Sequence, residues 1–264
     1  MFNERYTVGE CIRPGSDCWI FRGARKSDDQ SVIIKFATDD RKNPKDMPEE
    51  IELLSRNKTT FPVSNVCHMI EWFKLDRQYI IVMEGNENLV LLKDFKVKKL
   101  ELAVKIIKDL FKTVSELYRN KYIFCGDLTL DNILIDKRTH DIKLMNFGNS
   151  RLHYIKPKNI TLEYQPPEYF INEEAEDPLS TIVWNLGIIL YAMIFERLPF
   201  QNKYEIVHNK LHQLSQLPKA ERYMLNTMLH KDVTKRCKFD VLESLFNYEV
   251  TDALEVILHK YNVC

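Results

Sequence analysis

Four short patterns in this 264-residue chain carry residue types that could handle an anion, a metal ion or a proton. In chain order they contain Lys35, Glu50, the pair Asp127 and Asn132, and Asn146. A lysine can hold an anion, a carboxylate can accept a proton, and an amide oxygen can ligate a metal ion. Taken singly, Lys35 would more often be a surface lysine, and Glu50 would more often belong to a solvated helix face. Their meaning therefore depends on the elements that position them.

The charge balance and the cysteines narrow the class of protein. Lys and Arg together number 38, and Asp and Glu together also number 38, so the formal net charge is zero. A general nucleic-acid binder needs a basic surplus, and we therefore expect no nucleic-acid partner. Apolar residues make up 45% of the chain, enough for one large domain or two small lobes. The six cysteines show no metal-ligand spacing, which predicts reduced thiols in an intracellular protein, cytoplasmic or nuclear.

The first third of the chain has the character of a β-sheet. Runs of β-branched and aromatic residues predict strands that begin at Tyr6, Cys18, Ser31 and Gln78. One helix interrupts them, opening at Pro48 and continuing with acidic residues, as is typical of a helix N-terminus. The sequence thus predicts a small β-rich lobe that contains one helix.

From about residue 97 the apolar period becomes helical. One broad apolar stripe predicts a helix and consists of Ala103, Ile106, Ile107, Leu110, Phe111, Val114, Leu117 and Tyr118. Short strands are predicted at 132–136 and 141–145, and helices near 180–195, 203–215, 218–230, 239–247 and 250–261. This order predicts an α+β protein, with a β-rich lobe, a larger helical lobe and a cleft between them.

Three further segments have simple interpretations. The apolar stretch Ile182–Phe195 is too short to span a bilayer and predicts a buried helix, so no membrane partner is expected. The basic run Lys93–Lys99 is interpreted as a solvated turn. The apolar stripe of the last predicted helix packs on the large lobe or, alternatively, forms a docking helix for a partner.

The ordered set of patterns resembles a protein kinase domain from Tyr6 to about Leu245. Within that family, the sequences of three segments resemble the PIM serine/threonine kinases. They are Asp131-Asn-Ile-Leu-Ile-Asp, Pro166-Pro-Glu and Val183-Trp-Asn-Leu-Gly-Ile-Ile-Leu-Tyr. The resemblance implies a single bilobal kinase-like domain, with an N-lobe at 1–83, a hinge at 84–88 and a C-lobe at 89–264. It also implies ATP as a ligand, with Mg²⁺ or Mn²⁺.

The resemblance assigns roles to the four patterns. Lys35 would hold the α- and β-phosphates, and Glu50 would pair with that lysine. Asp127 would accept the proton of a substrate hydroxyl, while Asn132 would ligate a metal ion. Asn146, in place of the metal-binding aspartate, would be a weak or absent metal ligand.

Other residues follow from the same resemblance. The expected nucleotide-binding set is Ile12, Gly15, Ile20, Ile33, Lys35, Met83, Glu84, Leu134 and Met145, with Met83 as gatekeeper and Glu84 opening the hinge. Structural roles are implied for Phe147 and for an ion pair between Glu168 and Arg236.

Several positions depart from the pattern of an active kinase. The glycine-rich loop keeps only Gly15, and the chain has only 7 glycines in all. Asn146 has no charge with which to neutralise Mg²⁺, and Thr129 stands where a lysine would face the γ-phosphate. Ile33 replaces the small alanine that would lie over adenine, so ATP is expected to bind weakly at most.

The residues that would recognise a substrate also differ from the PIM pattern. Of the acids with which PIM kinases hold basic substrates, only Asp94 and Asp131 are present, and Leu91 and Leu130 stand at other such positions. The preference of PIM kinases for basic substrates is therefore not assigned to this chain.

These observations lead to one main hypothesis. The chain is expected to be a pseudokinase, a regulatory or scaffolding module that contacts a protein partner such as an active kinase or a kinase substrate. The first alternative is a weak or atypical ATP-dependent serine/threonine kinase, favoured by the joint retention of Lys35, Glu50, Asp127 and Asn132. A small-molecule phosphotransferase is a more remote alternative, because Pro166-Pro-Glu is typical of kinases with protein substrates.

Overall fold

The structure is a computed structural model that describes residues 1–16, 18–39, 47–59, 62–120, 128–147, 161–171 and 177–247. Two of the positions discussed above, Asp127 and the helix expected near 250–261, lie outside these ranges. The described residues form a β-rich lobe followed by a helical lobe. The predicted bilobal α+β fold is thereby confirmed.

The N-terminal lobe is built on a five-stranded antiparallel sheet in the order β1-β2-β3-β5-β4. Its strands are β1 (Tyr6–Arg13), β2 (Cys18–Arg25), β3 (Gln30–Thr38), β4 (Met69–Lys74) and β5 (Gln78–Glu84). Helix α2 (Glu49–Thr59) lies between β3 and β4 in the chain. The sequence predicted this helix and all the strands except β4.

Side chains alternate between the two faces of this sheet. In β3, Ile33 and Lys35 face the cleft, while Ile34 belongs to a separate apolar cluster on the outer face. A short helix absent from the sequence prediction, α1 (Phe2–Arg5), covers that outer face with the ring of Phe2. The two faces thus have separate cores, and only the inner one continues into the second lobe.

The C-terminal lobe is mainly helical. It contains a small antiparallel sheet of β6 (Leu89–Leu91), β7 (Ile133–Asp136) and β8 (Ile142–Leu144). Its helices are α3 (Leu100–Arg119), which precedes β7, and then α4 (Pro167–Ile171), α5 (Pro178–Phe195), α6 (Lys203–His208), α7 (Lys219–Met228) and α8 (Phe239–Asn247). The sequence predicted β7, β8 and the order of the longer helices, but it did not predict β6 or the short helix α4. The apolar stripe of α3 is buried as predicted except at its end, where Tyr118 is exposed.

One helix prediction was wrong in its length. The helix expected at 203–215 ends at His208, because Asn209 is extended and Gln213 adopts a left-handed φ of 63°. A short 3₁₀ turn then buries Leu214 against the core. The apolar residues after His208 thus pack from a loop and not from the face of a helix.

Helix α5 is the central helix of this lobe. By length and composition it could cross a membrane, but its residues 182–193 are all buried inside the protein. It packs against α3, α7 and α8. Asp177 caps its N-terminus by accepting hydrogen bonds from Leu179 and Ser180 at 3.2 Å. Such burial is typical of a core helix.

Candidate functional site between the lobes

A buried ion pair lies where β3 faces α2. The Nζ atom of Lys35 lies 2.6 and 2.7 Å from the two carboxylate oxygens of Glu50, and both side chains are 2% exposed. Strand β3 fixes the lysine opposite Ile81 of β5, and the first turn of α2 presents the glutamate. The structure therefore brings together the two residues that the sequence pattern paired.

The same lysine also contacts the residue that replaces the metal-binding aspartate. Lys35 Nζ donates to Oδ1 of Asn146 at 2.6 Å. The Nδ2 of Asn146 in turn donates to Oδ1 of Asn132 at 2.9 Å. All three side chains are buried. The residues expected to hold phosphate and metal ions thus bind one another.

Backbone contacts fix this network. The amide N–H of Phe147 donates to Oε1 of Glu50 at 2.9 Å, and the Met145 N–H donates to the carbonyl of Asn132 at 3.0 Å. Asn146 has a left-handed φ of 66°, a conformation that asparagine adopts more readily than most residues. The ring of Phe147 is buried beside Leu54 of α2 and Leu117 of α3. The segment is therefore held from both lobes.

The donor atoms that the structure describes at this site do not suit Mg²⁺. Its two described candidate ligands are the neutral amides of Asn132 and Asn146, and Mg²⁺ prefers anionic oxygens. In the parts of the chain that the structure describes, no cluster of three His, Cys, Asp or Glu side chains could hold a metal ion. Thr129 is uncharged and buried, and its carbonyl accepts a hydrogen bond from the Asn132 N–H at 3.0 Å. The described residues thus lack the carboxylate that a divalent ion would need.

The apolar residues expected around adenine are packed together. Each of these residues is at most 1% exposed. They are Ile20, Ile33, Met83, Leu134 and Met145. All five belong to the same continuous core, which runs from the N-lobe into the C-lobe. A side chain that lines an open slot keeps exposed surface on the slot side. These residues instead join the lobes through apolar contact.

Ile33 comes close to the hinge itself. A Cβ atom on Gly85 would lie 3.1 Å from Cγ1 of Ile33 and 3.0 Å from the carbonyl carbon of Val32. Register pairing places Ile33 opposite Met83. The space above the hinge is thus filled from one side by Ile33.

The predicted loop and hinge residues have mainly structural contacts. Ile12 and Gly15 are half-buried, and a Cβ on Gly15 would lie 2.6 Å from the carbonyl oxygen of Cys18, so the turn itself requires glycine. The N–H of Glu84 donates to the carbonyl of His68 at 2.9 Å, and its carboxylate lies 2.7 Å from Nζ of Lys143.

Sequence reasoning missed three residues that support the site. The Tyr79 hydroxyl donates to Oε2 of Glu50 at 3.2 Å, and burial together with that carboxylate raises the pKa of Tyr79. Arg22 donates across to the backbone carbonyls of Asn86, at 3.4 Å, and Leu89. Lys143 binds Glu84 from β8. No local motif marks these residues, because each contact joins distant parts of the chain.

The structural ion pair implied by the resemblance is formed. Nη1 and Nη2 of Arg236 lie 2.6 and 2.7 Å from the two carboxylate oxygens of Glu168, and both residues are buried. Arg236 also donates to the carbonyls of Ser180 and His230 at 3.2 Å. This arginine therefore ties α4 to α5 and to the turn before α8.

Comparison with known families agrees with this geometry. Residues 6–259 match the protein kinase domain, and the chain belongs to the protein kinase family. It is 31% identical over 230 residues to "Serine/threonine-protein kinase pim-2" of Danio rerio, covering 79% of this chain and 73% of that protein. It is 28% identical over an alignment of 269 positions to "Serine/threonine-protein kinase prk-2" of Caenorhabditis elegans, covering 94% of this chain and 58% of that protein.

A third relative shows how widely the similarity extends. The chain is 31% identical over 210 residues to "Serine/threonine-protein kinase TIO" of Arabidopsis thaliana, covering 75% of this chain but only 15% of that protein. The similarity thus concerns the kinase domain that these serine/threonine kinases share.

Proposed function

We propose that this kinase domain transfers phosphate poorly or not at all and works through contacts with another protein. The observation that carries the proposal is the hydrogen-bonded chain from Lys35 through Asn146 to Asn132. Phosphoryl transfer depends on positioned positive charge around the phosphates, supplied by the lysine and by metal ions. Here the lysine is bound to the protein, and the metal carboxylate is replaced by an amide.

The packed adenine region supports the same proposal. Ile33 and Met83 fill the region above the hinge with apolar side chains. Fitting a nucleotide there requires these side chains to move, and such overpacking costs about 1–3 kcal/mol. That cost would weaken ATP binding by about one to two orders of magnitude.

A scaffolding role needs each lobe to be stable without a nucleotide, and one buried ion pair within each lobe supports this. Lys35 with Glu50 joins β3 to α2, and Arg236 with Glu168 joins the helices of the C-lobe. Neither contact involves a nucleotide.

The relatives with protein-kinase names make a protein the favoured partner, either an active kinase or a kinase substrate. Cys11, Cys18, Cys67 and Cys237 are free thiols, which supports an intracellular location.

Thermal melting with ATP alone, ATP with Mg²⁺ and ATP with Mn²⁺ tests the proposal. A ligand at a hundred times its dissociation constant stabilises a protein by about 2.7 kcal/mol, which moves the midpoint measurably. We expect no metal-dependent shift. A shift that requires metal and disappears in Lys35→Met would contradict the proposal.

A weak serine/threonine kinase is the second candidate, and the intact pair of Lys35 and Glu50 favours it. The discriminating assay is transfer of labelled phosphate to a protein substrate with Mg²⁺ or Mn²⁺. Transfer that is lost in Asp127→Ala would establish this candidate. Transfer that persists in Asp127→Ala would instead indicate a contaminating kinase.

A further inference from the structure

One arginine on the cleft side of the N-lobe sheet reaches the C-lobe. Arg22 lies in β2, where register pairs it with Ile33 of β3, and side chains directly opposite each other share a face of the sheet. Its guanidinium donates to the backbone carbonyls of Asn86, at 3.4 Å, and of Leu89. Leu89 is the first residue of β6 in the C-lobe. Arg22 therefore joins the two lobes beside the hinge.

The turn that accepts these hydrogen bonds is fixed to the C-lobe. Nδ2 of Asn86 donates to Oδ2 of Asp136 at 3.0 Å, and Oδ1 of Asn86 accepts from the N–H of Asn88 at 2.8 Å. The carbonyl of Asn88 accepts from the N–H of Lys137 at 3.1 Å. Register pairs Leu89 with Asp136 of β7. The two carbonyls that Arg22 contacts therefore move with the C-lobe sheet.

Most of the Arg22 side chain is covered by protein. Only 26% of it is exposed, whereas Glu10 of β1, whose carboxylate lies 3.8 Å from Nε of Arg22, is 80% exposed. Such a long and solvated ion pair contributes little. The planar guanidinium presents several donors in a fixed geometry, while the ammonium of a lysine is a single point charge. The contact with two carbonyls at once therefore requires arginine at this position.

Other side chains also connect the lobes, at places away from this turn. Lys35 contacts Asn146 in the buried network, and Nζ of Lys143 in β8 lies 2.7 Å from the carboxylate of Glu84. Each of these bridges is made by the chain itself. Arg22 adds a connection from β2, so that the edge of the cleft beside the hinge is spanned as well.

We propose that Arg22 is an inter-lobe bridge that holds the two lobes in one arrangement in the absence of nucleotide. A ligand bound between two lobes favours the arrangement in which it contacts both. Arg22 supplies such a contact from within the chain, without the entropic cost of binding a separate molecule. A ligand that lies against the hinge would have to share or displace the hydrogen bonds of Arg22 to Asn86 and Leu89. The proposal rests on the proposed function, because a module that works through protein contacts must present both lobes without a ligand.

Hydrogen–deuterium exchange of the full chain, without nucleotide or metal, tests the Arg22 bridge. Arg22→Ala should open the hinge locally. Amides in the segment 84–91 should then exchange about 3- to 30-fold faster, the change expected for one or two lost hydrogen bonds. Helix α5 should keep its wild-type rates, because it is buried in the core of the C-lobe. Arg22→Lys should give rates between those of the wild type and Arg22→Ala.

Arg25→Ala is the matched control variant. Arg25 lies in the same strand and carries the same charge, but the hydrogen bonds described for its side chain go to Asp28 and Gln30 within the N-lobe. Exchange in the segment 84–91 should therefore remain as in the wild type.

A second measurement follows the separation of the lobes directly. Donor and acceptor dyes are attached through unnatural amino acids at the exposed positions Asp76, between β4 and β5, and Lys112 of α3. Single-molecule energy transfer should show a broader distance distribution in Arg22→Ala than in the wild type or Arg25→Ala. An unchanged distribution, or equal exchange of the segment 84–91 in Arg22→Ala and Arg25→Ala, overturns the proposal. Faster exchange throughout the chain, α5 included, also overturns it, since Arg22 would then serve general stability.

These outcomes are distinguishable from those of the phosphotransfer test. If metal-dependent ATP binding and transfer were found while Arg22→Ala still opened the hinge, the proposed function would fail and the Arg22 bridge would stand. If no ATP bound and Arg22→Ala left the hinge unchanged, the bridge proposal alone would fail.

Discussion

The ammonium of Lys35 lies 2.6 Å from Oδ1 of Asn146, the same distance as to Oε1 of Glu50. An amide at this position satisfies the lysine without adding a second negative charge to a buried site. It also donates to Asn132, which an ionised carboxylate could not do. The asparagine in place of the metal-binding aspartate is thus part of a continuous hydrogen-bonded chain from Glu50 to Asn132.

The first prediction concerns Asn146→Asp. In the absence of metal, a carboxylate oxygen would face Oδ1 of Asn132 with no hydrogen between them. Such an unsatisfied buried contact costs about 1–3 kcal/mol, and about 2–4 °C of melting temperature is lost per kcal/mol. We expect a lower melting temperature than wild type, and a stabilisation by Mg²⁺ that the wild type lacks. Asn3→Asp, the same charge change at an exposed site, should show neither effect.

The second prediction concerns the buried ion pair. Lys35→Met leaves the carboxylate of Glu50 with only Tyr79 and the Phe147 N–H among the partners described for it, so unfolding should become easier by about 3–5 kcal/mol. Adding Glu50→Gln removes the stranded charge and should recover part of that loss. Urea denaturation of the two single variants and the double variant measures the coupling. Additive effects of the two substitutions would contradict a direct interaction.

Much of the fold could be predicted, because the sequence patterns that indicate its helices and strands are local. The β-branched run before Lys35 and the proline and acids before Ile51 indicate a strand and a helix without reference to the rest of the chain. The order of the elements then places the lysine opposite the glutamate. Helix α5 and the buried face of α3 were predictable for the same reason, since their apolar period is strong.

The contacts that decide the character of the site could not be predicted in the same way. The orientation of the Asn146 amide depends on Lys35 and Asn132, which come from different elements. Likewise, the pairing of Lys93 with Asp131 joins residues 38 positions apart, so a basic run alone gives no sign of it. Helix α6 ends early because of backbone conformation at Asn209, which apolar spacing does not reveal.

The third prediction tests whether Ile33 fills the adenine region. Ile33→Ala removes the side chain that approaches Gly85, and we expect the affinity for ATP to rise by about 10- to 100-fold. Ile34→Ala is a matched control, because Ile34 is equally buried but faces the outer cluster. Both variants should lose stability, by about 2–5 kcal/mol. Equal ATP affinity in the two variants, measured by titration with a fluorescent nucleotide, would contradict the filled region.

Lys231 occupies an unusual site between α5 and α6. Its Nζ lies 3.3 Å from the ring centre of Phe200 and 5.3 Å from that of Trp184, and it donates to the carbonyls of Glu205 and Ile206. The rings and carbonyls favour the ammonium form. Burial opposes it and, with the charge of Arg236 added, lowers the pKa of Lys231 to about 7.

The last prediction follows from that shift. An unfolded lysine has a pKa of about 10.4, so between about pH 7 and 10 the unfolded chain binds more protons at this site than the folded chain. The contribution of Lys231 to stability should therefore rise with pH across this window. It would be on the order of 1 kcal/mol, because the partly exposed site is screened by solvent. Buried thiols oppose this rise of stability with pH, since burial raises the pKa of Cys67 to about 12.

The measurement is therefore the difference in unfolding free energy between wild type and Lys231→Met at pH 7, 8 and 9. A difference that does not change with pH would show that the rings and carbonyls hold Lys231 charged throughout.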